Sequence, residues 1–385
     1  MTNRALPARG DAVALAQALV RIDSVNPTLV PGGAGEAQAA ELLAATLTAW
    51  GFETKVDEAA PGRPNVIATA GSGPRSIILN GHLDVVGTEG MTHPPFDAAI
   101  TNGRLYGRGS SDMKAGIAAM CAAATRSTDA RDDLHITIAA VCDEEYESLG
   151  TQALLAAGLR ADAAIITEPT RLAIAPAHRG FAWMDIEFTG VAAHGSRYDT
   201  GVDAITHAGL LLAELDIFNR KVLAHRVHPL LGHASLHASL IHGGTGMSTY
   251  PDRCVLSVER RTLPGDSTTG VAEVEAAIER VASRTPNYSA KVSLKTAQAP
   301  SDVPESAPIV RALAAALSDE GLEPRVEGCT AWTDAALFNA AGIPTICFGP
   351  GDIALAHAAE EYVSLDEIAS ATNVLAHVLR RWSAT

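Results

Sequence analysis

The chain is short of positive charge. Its 385 residues carry 29 Lys and Arg against 44 Asp and Glu, a net charge of −15, which leaves no electrostatic footprint for nucleic acid or for an anionic membrane. Long apolar runs are missing too: none spans a bilayer, and the opening MTNRALPARG holds no apolar signal core. Cysteine is sparse and odd in number. Cys121, Cys142, Cys254, Cys329 and Cys347 are widely spaced and sit mostly in apolar runs, so the expectation is buried free thiols and a reducing cytoplasm. There is no G-x-S-x-G, no H-E-x-x-H and no internal repeat, and Gly107-x-Gly109 lacks the spacing of a dinucleotide loop.

At 385 residues the chain exceeds what one hydrophobic core usually serves, so two domains are expected. Helical periodicity runs from Asp11 to Asp23 and from Glu36 to Trp50. Strand-like runs follow at Asn65–Thr69 and Ser76–Asn80, then a helix after Asp112, then strands at Leu134–Cys142 and Asp162–Thr167. This alternation indicates an α/β fold with a mostly parallel sheet flanked by helices. After about Ala177 the order becomes β-α-β-β-α-β, that of a ferredoxin-like α+β unit. The α/β pattern then resumes beyond the Pro- and Ser-rich AQAPSDVPESAP. The expected organisation is a catalytic domain of residues 1–178 and 292–385, with residues 179–291 inserted.

In a parallel sheet, ligands bind beyond the carboxyl ends of the strands. Three predicted strands end in acid or imidazole: IILNGHLDVV with His82 and Asp84, then Asp143-Glu144-Glu145, then Glu168. His82 and Asp84, two apart, suit a metal-binding imidazole and the carboxylate that orients it. Asp112 lies in the glycine-rich turn YGRGSSDMKAG, and His357 in GPGDIALAHAAEEYV. Two histidines and three carboxylates (His82, Asp112, Glu145, Glu168, His357) suit zinc, cobalt or manganese, and a metal pair needs a bridging carboxylate. The neighbours Glu144 and Glu145 diverge, so one can bind metal while the other faces an attacking water as general base.

GHLDVV, GRGSSDMKAG, CDEEYESLGT, ITEPT and the AH before EEYV resemble, in order and over nearly the whole chain, the family of aminoacylases, glutamate carboxypeptidases and succinyl-diaminopimelate desuccinylases, which are dinuclear zinc hydrolases. The resemblance implies that His82 and Glu168 hold one ion, Glu145 and His357 the other, and Asp112 bridges them. Glu144 is then the base and Asp84 the support of His82, and the Asp112-Met113 peptide is cis. It implies two divalent ions per chain, most readily Zn2+, with Co2+ or Mn2+ as alternatives. Within the inserted segment, His194 matches a histidine that reaches across a homodimer formed through residues 179–291, and Arg261 matches an arginine for the substrate carboxylate. Arg260, facing the other side of its strand, is expected to be structural. The chain departs from many relatives at Ser248, where they have a substrate-holding asparagine; either the substrate differs or another group such as Thr249 compensates.

The function implied is amide hydrolysis that releases an amino acid from an N-acyl amino acid or related carboxylate-bearing amide. A dipeptidase or aminopeptidase is the alternative, and short peptides remain possible substrates. Glu168 with Arg261 favours the acylated substrate, because enzymes that need a free amino terminus often carry aspartate at the position of Glu168. A non-catalytic metal-binding protein would lack a base or a ligand, and here every such position is filled.

Overall fold

A computed structural model describes residues 5–127 and 133–383. The chain divides into two compact units: residues 1–176, 303–329 and 333–385, and residues 177–302 with 330–332.

The sheet of the first unit runs in the order Glu53–Ala60, Arg63–Ala70, Leu134–Val141, Arg75–His82, Ala163–Ile166, Thr345–Cys347, Ile174–His178. Its four middle strands, from Leu134–Val141 to Thr345–Cys347, pair in parallel, and the strands outside them pair antiparallel. The middle strands are buried along their length, as expected where both faces are covered. The helix Ala115–Arg126 is buried from Ala115 to Thr125, so it is a core element, apolar on every side. It packs with Leu365–Ser383 and Ala12–Val20. Asp11 caps the helix Ala12–Val20 by accepting from the Ala14 amide at 2.9 Å. All five cysteines are buried and free. No helix among the described residues is long and apolar enough to cross a membrane.

The register puts the functional residues at one edge. His82 lies opposite Val141, and Asn80 opposite Ile166, so the residues that follow these three adjacent strands emerge together. Over that edge lies the start of the helix Ala115–Arg126, in close contact. A Cβ on Gly116 would come within 2.0 Å of the Thr167 carbonyl oxygen, and one on Gly81 within 2.9 Å of Ile117 and Met113 side-chain atoms. Only hydrogen at these two positions lets the turn carrying Asp112 come down onto the strand carrying His82.

The second unit is an antiparallel sheet in the order Ser235–Gly243, Arg253–Thr262, Gly180–Thr189, Ala290–Gln298, with helices Ala204–Lys221 and Val271–Ala282. Its chain order is β-α-β-β-α-β, the ferredoxin-like arrangement. The expected boundary at 291/292 cuts the strand Ala290–Gln298, which pairs with Gly180–Thr189 as far as Gln298↔Phe181. The second unit therefore continues to Asp302 and also takes Thr330–Trp332. The strand Arg253–Thr262 alternates strictly, with Cys254, Leu256, Val258, Arg260 and Thr262 buried. Arg260 is thus inside, ion-paired to Asp266 at 2.9 Å and Glu273 at 2.8 Å, the structural part expected of it.

Because the Gly116 contact is with backbone, no side chain can move aside for it. Gly116→Ala is expected to destabilise the protein by about 1–3 kcal/mol or more, the range for forced overpacking. Urea unfolding checks this, and a midpoint equal to wild type would mean that the helix can shift away from Thr167 without loss.

Candidate functional site

His82 closes its strand and is 2% exposed. Its Nε2 lies 3.0 Å from Asp112 Oδ1 and 3.9 Å from both Glu144 Oε2 and Glu168 Oε1. Its Nδ1 differs from expectation. The acceptor at 2.9 Å is the main-chain carbonyl of Asp84, while the Asp84 carboxylate is 3.7 Å away. With Nδ1 donating to that carbonyl, Nε2 is left to face the acids. The Asp84 carboxylate accepts instead from the amides of Glu144 and Glu145, each at 3.2 Å, and from Asn26 Nδ2 at 2.8 Å. It therefore anchors the turn that carries the acidic pair.

That pair diverges as the spacing predicts. Glu145 reaches His357, with Nε2 3.0 Å from Oε2, and His357 Nε2 is also 3.5 Å from Asp112 Oδ2. Glu144 turns toward His82. Asp112 therefore stands between two groups of candidate ligands. His82, Asp112 and Glu168 form one, and Asp112, Glu145 and His357 the other, with the ligand atoms of each group within 4.8 Å of one another. Asp112 presents Oδ1 to one histidine and Oδ2 to the other. The Asp112-Met113 peptide is cis, as the family resemblance implied.

The electrostatics are those of a site with an excess of acid. Burial pushes Glu144 and Glu168 well above the usual carboxylate range and raises Glu145, and the neighbouring acids add to each shift. Burial opposes the charged imidazole of His82, but the Asp112 hydrogen bond and the surrounding carboxylates outweigh it and raise its affinity for a proton. Hydrogen bonds to Asp112 and Glu145 lift His357 to about 10. With no metal in the balance, protons would have to neutralise these groups. A pair of divalent cations would do the same while leaving carboxylates ionised and imidazoles neutral, and oxygen and nitrogen donors of this kind suit such ions. The residues present fit two metal ions.

Several supporting residues carry no signal of their own in the sequence. Glu361, fully buried, accepts from the amides of Ser111 at 3.0 Å and Asp112 at 3.1 Å through one oxygen. Its other oxygen accepts from the Gly109 amide at 3.1 Å and Arg108 at 2.7 Å. It ties the turn bearing Asp112 to the segment bearing His357. Asp334, also buried, accepts from the Thr151 hydroxyl at 2.5 Å, and burial raises it to about 6. Lys114, wholly buried, donates to the Ile22 carbonyl at 2.9 Å, and burial lowers it to about 7.

The other expected residues belong to the second unit. His194 is exposed, with Nδ1 2.9 Å from the Ser196 hydroxyl oxygen, and it forms a bridge with Thr249. Ser248 lies beside it, its carbonyl accepting from the Gly195 amide at 2.8 Å. His194 and Ser248 thus share one loop cluster. Arg261 is half-buried, 3.2 Å from Glu259 and 2.6 Å from the Thr330 carbonyl, with its guanidinium 5.8 Å from the Phe181 ring centroid.

The sequence signature of peptidase family M20/M25/M40 matches residues 78–381, most of the chain. The chain belongs to that family. The acetylornithine deacetylase of Myxococcus xanthus is 31% identical over 354 residues, covering 87% of this chain and 89% of its own. That of Vibrio cholerae serotype O1 (strain ATCC 39541 / Classical Ogawa 395 / O395) is 29% identical over 373 residues, covering 95% and 97%. Among solved structures, the aminopeptidase PepT of Bacillus cereus superposes with a TM-score of 0.81 over 98% of this chain and 99% of its own at 21% identity, a likeness of fold. The M20 member described here is a metal-dependent hydrolase of amide bonds.

Glu361→Ala would strand Arg108 and three backbone amides. Breaking a buried charge pair of this kind costs about 3–5 kcal/mol, and because Asp112 belongs to both ligand groups, bound divalent ions should be lost with it. Thermal unfolding and metal analysis of purified protein check this. A full complement of ions in the variant would mean that Asp112 keeps its place without Glu361.

Proposed function

We propose that this member of the family removes the acyl group from an N-acyl amino acid that carries a free carboxylate, using two zinc ions. The observation that carries the reading is Asp112 standing between two ligand groups with Glu144 beside them. Near full-length similarity to acetylornithine deacetylases supports the deacylase side of it.

His82 and Glu168 would hold one ion, Glu145 and His357 the other, with Asp112 shared. Bound there, the ions supply Lewis acidity, polarising the scissile carbonyl and making the attacking water acidic near neutral pH. Glu144, held by its amide on Asp84 and kept from full exposure, takes a proton from that water and later delivers it to the leaving amide nitrogen. Arg261 offers a planar fork to the substrate carboxylate. His194 donates to the oxyanion that develops on the carbonyl oxygen. In this reading it does so in the site of a second copy of the chain, through a homodimer of the second units, and Ser248 contacts the substrate where many relatives have asparagine.

Screening the zinc- and cobalt-loaded protein with N-acetyl, N-succinyl and N-formyl amino acids and with dipeptides tests the reading. Acylated amino acids should exceed peptides with a free amino terminus by at least about tenfold in kcat/KM, the scale on which a polar site discriminates. The reverse preference would make the protein a dipeptidase or aminopeptidase instead. Glu144→Gln should keep the metal ions while losing about two to four orders of magnitude in kcat, as for a general base; activity within a few-fold of wild type removes Glu144 from that role.

A dimer that shares its sites makes a sharper prediction. His194→Ala and Glu144→Gln chains, each nearly inactive, should regain activity when mixed and allowed to exchange subunits. A pure heterodimer should reach about half of wild type, since one of its two sites holds both native residues. Mass spectrometry of differently tagged chains confirms exchange. If exchange occurs and activity stays at the sum of the two variants, His194 does not act across a dimer.

A further inference from the structure

Behind the acidic pair runs a buried chain of side chains that touches no candidate ligand atom. Glu36, Asp84, Asp143 and Asn26 are each 0% exposed, and Arg63 is 8% exposed. Arg63 grips Glu36 with two nitrogens, at 2.6 and 2.9 Å, and turns the first of them also to Asp143 Oδ1 at 2.8 Å. Asn26 Nδ2 then joins Asp143 Oδ1 at 3.1 Å to Asp84 Oδ2 at 2.8 Å. The orientation of that amide group is settled by its oxygen, which accepts from the Thr28 amide at 2.9 Å. Both amide hydrogens are left for carboxylates. Asp84 ends the chain on the backbone amides of Glu144 and Glu145.

We propose that Arg63 and Asn26 are positioning residues for Glu144 and Glu145, acting through Asp143 and Asp84. The inference rests on the roles of Glu144 as base and Glu145 as ligand in the function proposed above. Two buried carboxylates, Glu36 and Asp143, share one guanidinium here, Asn26 links them to a third, Asp84, and a turn carrying two further acids must be held beside them. Asp143, at the head of that turn, has φ 66°, a conformation uncommon for a residue with a side chain. Its carbonyl accepts from the amides of Glu147 and Ser148, and its carboxylate from the Glu147 amide at 3.3 Å. The turn is thus closed on Asp143 from inside and fixed from behind by Arg63 and Asn26. Lysine at 63 keeps the charge but not the fork that reaches Glu36 and Asp143 together. Removing the Asn26 amide frees the Asp84 carboxylate to move, and the Glu144 and Glu145 amides with it.

The test compares wild type, Asn26→Ala, Arg63→Lys and Leu43→Ala. Leu43 is fully buried in the helix Ala37–Ala49 that follows Glu36, and its truncation controls for lost stability alone. Cobalt binding, followed by titration and by visible absorption, reads the ligand geometry whether or not any amide is hydrolysed; kcat and KM read the base. Asn26→Ala and Arg63→Lys should weaken one of two cobalt-binding steps and lower kcat by about 10–100-fold, the usual cost of removing a ligand's outer support. KM should stay within about threefold of wild type, as for loss of groups that act on the reacting atoms and not on ground-state binding. Leu43→Ala should lower the melting temperature while keeping both values. If Arg63→Lys fails to fold, Asn26→Ala carries the test alone. Cobalt affinities, spectrum and kcat within about twofold of wild type in Asn26→Ala, or an equal loss in Leu43→Ala, overturn the proposal. A wild type that binds cobalt but hydrolyses no acylated amino acid refutes the substrate reading, and the cobalt comparison still decides this one.

Discussion

Asp112, Glu144, Glu145 and Glu168, their side chains at most 10% exposed, are gathered around the buried His82 and the half-open His357, where each ionised carboxylate disfavours ionisation of the next. At separations of a few ångströms in a medium of reduced dielectric, such repulsion amounts to several kcal/mol per pair. Burial first, and this repulsion added to it, raise the affinities of Glu144, Glu145 and Glu168 for protons. A chain left to itself would relax by turning these side chains outward. The rest of the first unit prevents that, and the cations that the site fits would turn the same crowding into affinity for metal.

The prevention is mostly the work of backbone. Glu144 and Glu145 on one side and Glu168 on the other leave the two parallel strands that flank the His82 strand, and the register of all three is set by the core, so they cannot separate without breaking the sheet. Asp112 comes from a turn pressed onto those strands through Gly81 and Gly116. Its own amide, with two neighbouring ones, is held by a buried carboxylate from the segment that carries His357. A buried carboxylate that accepts several amides is fixed in place by them. Asp84 and Glu361 use the same device: each is an acid fixed by amides, and each fixes in return the acids that bear on metal or water.

This division explains what could be read from the sequence. The acids and histidines that meet at the site stood out because each ends a recognisable apolar strand or lies in a motif of unusual composition. Of their supports only Asp84 was singled out, because the contacts of the others are made far along the chain. Glu361 meets the Ser111 amide across 250 residues of sequence, and Arg63 meets Asp143 across 80. The spacing of His82 and Asp84 pointed to a contact but not to its atom, since a residue two positions on offers both a carbonyl and a carboxylate. The strand Glu53–Ala60 was missed for another reason. It is exposed or half-exposed throughout, an edge strand without the alternation that reveals one. The expected end of the inserted unit fell inside that unit's own last strand, Ala290–Gln298, which is exposed or half-exposed along its length.

In the second unit the adjacent residues Arg260 and Arg261 show how period two separates structure from recruitment. Arg260 faces the core, where a guanidinium is tolerated only with its charge matched, and Asp266 and Glu273 match it. Arg261 faces outward, and its ties are of a different kind. Glu259 is a same-strand neighbour two residues away whose side chain keeps 19% of its exposure, and the other tie is a single carbonyl, that of Thr330. Neither saturates a fork with five donors. A bidentate carboxylate from a substrate would gain more from Arg261 than these contacts lose, because Glu259 retains access to water when released. Arg260 has no such exchange open to it. Of two identical side chains one residue apart, only Arg261 is therefore free to change partners, which is the property its proposed role requires.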